Sequence, residues 1–267
     1  MAVVSTNFEQ WSTQGEQTEH GDIVTLSLEH PKSAVDRQGL EELLEIVEIL
    51  GNSGVEVLVF DGGPEAFCTG MDIATLGDLV DSTATNDPSR RQQIDEFTRL
   101  FHASIIALRK ASQPVIGAID GAAAGGGLSI ALTMDLAYAT PGSTYTHAYT
   151  DIAGTSDGGA TYFLPRLVGL QRAKELVFSR QPIQAEEMAN LGLVNEVVPA
   201  DRLAEVVREK ALELAAQPSA AIADVKQLLQ SGVEQSLEMQ LEAERDSMKR
   251  AIQSEEFEQR INDSLGD

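Results

Sequence analysis

An α/β core followed by a helical C-terminal region is the fold class that the sequence predicts, and three observations predict it. Strand-like runs alternate with amphipathic helical segments through the first two-thirds of the chain. A glycine cluster, Gly125-Gly126-Gly127, sits where a strand hands over to a helix, and only helical patterning follows Asp201. The expected division is an α/β core over residues 1–199 and a helical region over residues 200–267.

Taken in order, Ile23 to Leu28 reads as a strand and Leu40 to Leu50 as an amphipathic helix. Val55 to Phe60 is a second strand, ending at the turn signal Asp61-Gly62-Gly63-Pro64. Residues 73 to 95 show the least regular pattern, and the Thr, Asn, Asp, Pro and Ser content of Ser82 to Arg91 predicts a polar, mobile loop there. A helix from about Gln92 to Lys110 leads into a strand at Pro114 to Ile119, the glycine turn, a helix at Leu128 to Met134 and a short strand at Asp135 to Ala139. Gly158 to Val168, Gln171 to Ser179 and Gln184 to Leu191 read as helices, and Val194 to Val198 as the last strand. Breaks at Gln217-Pro218, Ser231-Gly232 and near Gln253-Ser254 divide the helical region, and no fixed-period repeat is evident.

With 267 residues and 42% hydrophobic content the chain has the means to bury a large core, which excludes disorder for its bulk. Its formal charge of −23, from 42 acidic and 19 basic residues spread along the chain, repels nucleic acid and anionic lipid, so neither is an expected partner. The single cysteine, Cys68, rules out an internal disulfide. Neither a Cys-x-x-Cys nor a His-Glu-x-x-His spacing occurs, so no metal site is expected. Met1 to Asn7 lacks a basic n-region, which reads as the absence of a secretory signal and points to a cytoplasmic setting. From Pro114 to Met134 the only charge is Asp120, but the pattern switches from strand-like to helix-like around the glycines, which reads as buried core instead of a membrane span.

Three side-chain-free residues at a helix start let backbone N–H groups approach a ligand closely, and this is half of an oxyanion hole. The bland alternative is a turn that only lets helix and strand pack. A second tight-turn segment, Phe67-Cys68-Thr69-Gly70-Met71-Asp72, favours the first reading.

These two turns, their spacing, and Asp157-Gly158-Gly159 with the helix after it resemble the crotonase superfamily, the enoyl-CoA hydratase/isomerase family, over about residues 20 to 262. The order matches: Phe-Cys-x-Gly-x-Asp, then Pro-Val-Ile and Asp-Gly before the glycines, the Asp-Gly-Gly helix, then Ala189, Gly192, Leu193 and Val194. The resemblance implies a crotonase-like spiral of ββα units with C-terminal helices that make trimers, commonly paired into hexamers. Leu237, Leu241, Met248, Ile252, Phe257 and Ile261 stand at spacings that a lone helical tail could not bury, in keeping with a homotrimer or a dimer of trimers.

The resemblance also implies an acyl-CoA thioester as substrate, with no separate cofactor, since coenzyme A is part of the substrate. By this resemblance Thr69 and Gly126 hold the thioester oxygen through backbone N–H groups, beside Gly125 and Gly70. Phe67, Met71 and Asp72 line the pantetheine and adenine path, and Lys32 and Ala34 are candidates for phosphate and adenine contacts. Enoyl-CoA hydratases carry two glutamates that hold and split water, and here those positions are Ser129 and Tyr149, neither a strong base at neutral pH. Asp157 is the acid that remains, where certain family isomerases shuttle a proton with one aspartate; its alternative reading is a helix N-cap.

His102 and Asp157 together fall where the family's 4-chlorobenzoyl-CoA dehalogenases have a catalytic histidine and an aspartate nucleophile, the alternative for His102 being a core or interface residue. Tyr149 either closes the acyl pocket or is a buried aromatic in a short strand. Ser129, with Gly127 and Ala131, faintly imitates a nucleophile elbow, but His147 is the only histidine after it and no later triad acid is apparent. Double-bond isomerisation by Asp157 is the leading expectation. Hydrolytic or dehalogenase-like chemistry with His102, and a non-catalytic acyl-CoA-binding paralogue, are the alternatives.

Overall fold

The computed structural model describes residues 8–63, 65–82 and 84–266; Met1 to Asn7, with their leader-sequence reading, and Pro64, Thr83 and Asp267 lie outside them. The described chain opens with a hairpin, β1 (Trp11–Thr18) and β2 (Gly21–Leu28), followed by α1 (Arg37–Gly51), β3 (Val55–Asp61), α2 (Ile73–Ser82) and α3 (Pro88–Lys110). Next come β4 (Val115–Ile119), β5 (Ala122–Ala124), α4 (Gly126–Ala131), β6 (Leu136–Ala139), β7 (Thr144–Thr146) and a 3₁₀ turn at Ala148–Ile152. The remainder is α5 (Ala160–Val168), α6 (Leu170–Ser179), β8 (Ile183–Gln184), α7 (Ala185–Asn190), β9 (Glu196–Val197), α8 (Leu203–Ala215), α9 (Ser219–Gly232), α10 (Leu237–Ala251) and α11 (Glu255–Leu265). One six-stranded sheet runs β1-β2-β3-β4-β6-β9, parallel except for the β1–β2 hairpin, and β5, β7 and β8 form a second sheet.

Successive side chains of a strand point to opposite faces, and this large sheet is covered on both. Val24, Leu26 and Leu28 of β2, Leu58 and Phe60 of β3, and Val115 and Ile119 of β4 join the core that also holds Leu40, Leu43 and Leu50 of α1 and Phe97, Phe101 and Leu108 of α3. The alternate residues Ile23, Val57, Val59, Ile116, Ala118 and Tyr138 pack with Leu203, Val207, Ala211 and Ala215 of α8. Burial on both sides is why Val55 to Phe60 is apolar at nearly every position. It also places α8 in the α/β core, which therefore extends past residue 199.

The helices begin where local chemistry lets them. Asp36 caps α1 by accepting the Gly39 N–H at 2.9 Å, and Asp87 caps α3 from the Ser89 N–H at 2.8 Å with Pro88 at the first helical position. The polar loop expected over residues 73 to 95 is thus corrected: α2 occupies 73–82, and α3 begins at Pro88. β1 carried no strand signal because it is a polar edge strand whose one deeply buried residue is Trp11, whose indole N–H donates to the Gly39 carbonyl at 2.7 Å. β5, β7 and β8 are two or three residues long, too short for periodicity to register.

Beyond α8 the packing changes character. Each fully buried Leu, Val or Phe stabilises by roughly 1.5–3 kcal/mol, but α9 and α11 bury no residue and α10 only Ser247. Polar contacts hold these helices instead. The Lys226 ammonium of α9, largely buried, pairs with Asp135 at 2.6 Å and donates to the Gln113 carbonyl at 2.9 Å. Asp135 in turn accepts the Val115 N–H at 2.8 Å. Ser247 and Arg250 of α10 hold Asp224 of α9 at 2.7 and 2.9 Å.

Gly127 marks the tightest contact between the two sheets' connections, since a Cβ there would lie 1.9 Å from the Cys68 carbonyl oxygen, a backbone atom that cannot step aside. Gly127→Ala should cost at least ~2 kcal/mol in chemical denaturation. Gly51→Ala, at a helical site with nothing within 4 Å, should be neutral or gain up to ~1 kcal/mol. Equal stabilities for the two variants would contradict this packing.

Candidate active site

The segment from Cys68 to Asp72 is stitched to different neighbours on its two sides, and this alternation decides which N–H groups are free. The Cys68 N–H donates to the Ala122 carbonyl at 3.1 Å, and the Cys68 carbonyl accepts the Ala124 N–H at 2.9 Å. On the other side the Thr69 N–H donates to Ser33 O at 2.7 Å, the Gly70 carbonyl accepts the Val35 N–H at 2.8 Å, and the Asp72 N–H donates to Val35 O at 3.0 Å. Met71 pairs with Val35 in this bridge, so its own N–H points away from Val35 and has no partner among the described residues. The expectation that Thr69 supplies an oxyanion donor is therefore corrected: its N–H is engaged, its hydroxyl bonds Lys32 O and Ser33 O at 3.0 and 3.2 Å, and the open donor is Met71.

Gly126 is the matching group. Gly125, at φ +52°, donates to Thr146 O at 3.0 Å, while the Gly126 N–H takes no partner among the described residues. Gly70, at φ +85°, lets the two segments meet, because a Cβ on it would stand 2.8 Å from both Gly126 N and Ala124 O. The Gly70–Met71 turn thus lies against the start of α4.

On the facing wall, His102 Nε2 of α3 lies 2.5 Å from Asp157 Oδ1, which also accepts the Gly158 N–H at 2.8 Å. The other carboxylate oxygen, Oδ2, takes no hydrogen bond among the described residues. Asp157 is not an N-cap: Gly159 holds that position in α5, with no side-chain cap. Behind it, the Ser129 hydroxyl donates to the Asp157 carbonyl at 2.8 Å and the Tyr149 hydroxyl donates to the same oxygen at 3.1 Å. Burial pushes the Tyr149 phenol up to about 12, so it keeps its proton at neutral pH.

Thr69, Met71, His102, Gly125, Gly126, Tyr149 and Asp157 all line one cavity of about 410 Å³, with an apolar wall from α2 and α3 that includes Leu76, Phe97 and Phe101. Phe67 and Ser129 are fully buried and do not line it; Phe67 packs on Phe60 with ring centroids 5.3 Å apart. Ala34 is likewise buried. Lys32 and Asp72 face each other at 3.6 Å outside the lining. Tyr149 sits on the 3₁₀ turn at Ala148–Ile152 and not in a strand. The apolar wall and the Met71 donor were missed in the sequence, the first for want of periodicity in α2 and the second because a free N–H depends on what pairs with Val35. Ser156, whose buried hydroxyl has no partner among the described residues, was also missed.

His147 stands beside the site, its ring 5.2 Å from that of Tyr149 and both ring nitrogens buried without a partner among the described residues. Burial pulls its pKa below the usual histidine value. Below about pH 6.5 the unfolded chain therefore takes up a proton that the folded imidazole resists, and stability is lost as pH falls. In urea denaturation, His147→Phe should gain on the native chain between about pH 7.5 and about pH 5.5; a constant difference would rule this out.

The family model for enoyl-CoA hydratase/isomerase matches residues 18–263. The 1,2-epoxyphenylacetyl-CoA isomerase of Escherichia coli is 27% identical over 243 residues, 90% of each chain. A 4-chlorobenzoyl coenzyme A dehalogenase of an Arthrobacter species is 29% identical over 251 residues, 91% of this chain and 87% of that one. The crystal structure of an enoyl-CoA hydratase from Polaromonas sp. JS666 superposes with a TM-score of 0.86 at 26% identity, covering 96% of each chain. With the two glycine turns, the donors they expose and the mixed core all in place, the chain belongs to the enoyl-CoA hydratase/isomerase family, the crotonase superfamily of acyl-CoA enzymes.

Proposed function

We propose that this chain moves a proton at a carbon activated by a CoA thioester, shifting an enoyl-CoA double bond, with Asp157 as acid and base. The observation that carries the reading is the Asp157 carboxylate itself: one oxygen held by His102 and Gly158, the other open to the cavity that the Met71 and Gly126 N–H groups also face. Asp157 Oδ2 takes the proton from the substrate carbon, the electron pair moves onto the thioester oxygen, and the two N–H groups receive that charge. The carboxylic acid then returns the proton at the other end of the allyl system. One donor of this kind is worth about 3 kcal/mol of transition-state stabilisation.

The hydroxyls at the two positions where hydratases carry glutamates support isomerisation over water addition. Both donate to a main-chain carbonyl, and neither is a base at neutral pH. Lys32, Ala34, Phe67, Gly70, Met71 and Asp72 remain the proposed surroundings of the pantetheine and adenine. Of these Phe67 and Ala34 shape the turn from beneath, and Lys32 stands at the rim.

A second reading rests on the same His102 contact and on the dehalogenase likeness: Asp157 Oδ2 attacks an acyl-group carbon, a covalent ester forms as a leaving group departs, and water activated by His102 cleaves it. A mass-trapped ester on Asp157 would favour this reading. Acyl-CoA binding with no turnover across short, long and aromatic enoyl-CoA esters would favour a non-catalytic paralogue. A cytoplasmic setting belongs to the proposal, in keeping with the lone, buried Cys68.

Assembly as a homotrimer, or a dimer of trimers, is also proposed. Leu229, Leu237, Leu241, Met248, Ile252 and Ile261 of α9 to α11 are exposed in the single chain, together more apolar surface than a solvated face requires. Light scattering at micromolar concentration should give a trimer or hexamer mass, and a monomer would overturn the assembly. Asp157→Asn should lower isomerisation by roughly a hundredfold or more while acyl-CoA binding persists. Near-native rates in that variant would remove Asp157 from the chemistry.

A further inference from the structure

The proposed proton transfer requires a carboxylate fixed to within a fraction of an ångström, yet Asp157 sits where the backbone has little to fix it. It lies between the 3₁₀ turn and α5, outside every helix and strand. Gly158 and Gly159 follow it at φ +61° and +86°, and Gly154 lies three residues before it. Neither glycine carries a Cβ to limit backbone motion, and the one main-chain hydrogen bond to the Asp157 carbonyl, from the Ala160 N–H, is long at 3.5 Å.

Two hydroxyls make up the deficit. Ser129 is fully buried on α4, one turn beyond Gly126, and its Oγ donates to the Asp157 carbonyl at 2.8 Å. The Tyr149 phenol donates to the same carbonyl at 3.1 Å from the 3₁₀ turn, and the two hydroxyl oxygens stand 3.3 Å apart. The Asp157 carbonyl thus accepts two shorter hydroxyl hydrogen bonds beside the long one from the Ala160 N–H. Because α4 begins with the Gly126 donor, the Ser129 bond ties the base to the helix that presents the oxyanion group.

We infer that Ser129 and Tyr149 are positioning residues, which clamp the Asp157 main chain so that its carboxylate keeps a fixed distance from the Met71 and Gly126 N–H groups. The inference rests on the proposal that Asp157 moves the proton. Their role is exerted through Asp157, and neither hydroxyl exchanges a proton with substrate. The phenol's upward shift keeps Tyr149 a donor throughout the neutral range.

The test uses the full chain with Ser129→Ala, Tyr149→Phe and the double variant, with trans-3-hexenoyl-CoA as probe. Misplacement of a reacting group by a fraction of an ångström lowers the rate without weakening the ester's binding, so kcat should fall about tenfold in each single variant with KM within about twofold. Thermal midpoints should stay within about 3 °C of the native chain, which separates positioning from general destabilisation. Hydrogen exchange followed by mass spectrometry should show faster exchange over residues 154–160 in the double variant, and this readout needs no turnover.

Unchanged exchange there overturns the clamp whatever the substrate, as does a fall in Tm and KM binding with kcat intact. Asp157→Asn in the same assay separates the two ideas. If it is as active as the native chain, the proton-transfer reading has failed, whereas a dead Asn variant beside fully active Ser129→Ala and Tyr149→Phe sinks the clamp alone.

Discussion

The contact on which the rest of the structure depends is a meeting of two bare backbones, the Cys68–Met71 turn against the start of α4. Side chains are missing at Gly70, Gly126 and Gly127 because each would drive a Cβ toward main chain or the Phe101 ring: 1.9 Å from Cys68 O at Gly127, 2.8 Å from Gly126 N at Gly70, 3.2 Å from the ring at Gly126. Closeness alone does not make a site. It does so here because Ala122 and Ala124 of β5 take both main-chain groups of Cys68, Ser33 takes the Thr69 N–H and Val35 the Gly70 carbonyl, while the Met71 N–H points away from Val35 without a partner among the described residues. The same pairing that holds the second sheet to the first thereby decides where negative charge is welcome. In the proposed reaction a chain with a formal charge of −23 meets an anionic transition state with two neutral donors that need no counter-charge.

Across the cavity the polar groups divide into those that face the ligand and those that serve another residue. His102 and Asp157 face it. Ser129 and Tyr149 both turn their protons toward a peptide carbonyl. Asp157 is the one carboxylate among the described residues that line the cavity, so no like charge in the lining repels it.

Much of this was legible in the sequence because it rests on local rules. The apolar run Val55 to Phe60 marks a strand covered on both faces, the spacing of Leu40, Leu43 and Leu50 marks a helix stripe, and glycines mark the two turns. What stayed hidden depends on partners distant in the chain. Thr69 and Met71 are equally plausible donors until Ser33 and Val35 are known to lie beside them. The strand at Trp11 to Thr18 has polar residues because one face meets solvent, and it becomes a strand only through β2. Helix α2 reads as irregular since Ile73 and Val80 remain exposed, so no stripe of buried residues announces it.

The C-terminal helices meet the core through the Lys226–Asp135 pair and a few hydrogen bonds, not through interlocked apolar side chains. An ion pair gives direction where oil gives adhesion: it fixes the angle of α9 against the starts of β4 and β6 but contributes little to holding it there alone. The buried core clusters end at Ala215, so the sheet and α8 pack without any residue of the last three helices. Those helices stand on the core as an arm whose bearing Asp135 sets, and their small share of buried contacts makes the arm easy to open until something covers its apolar side.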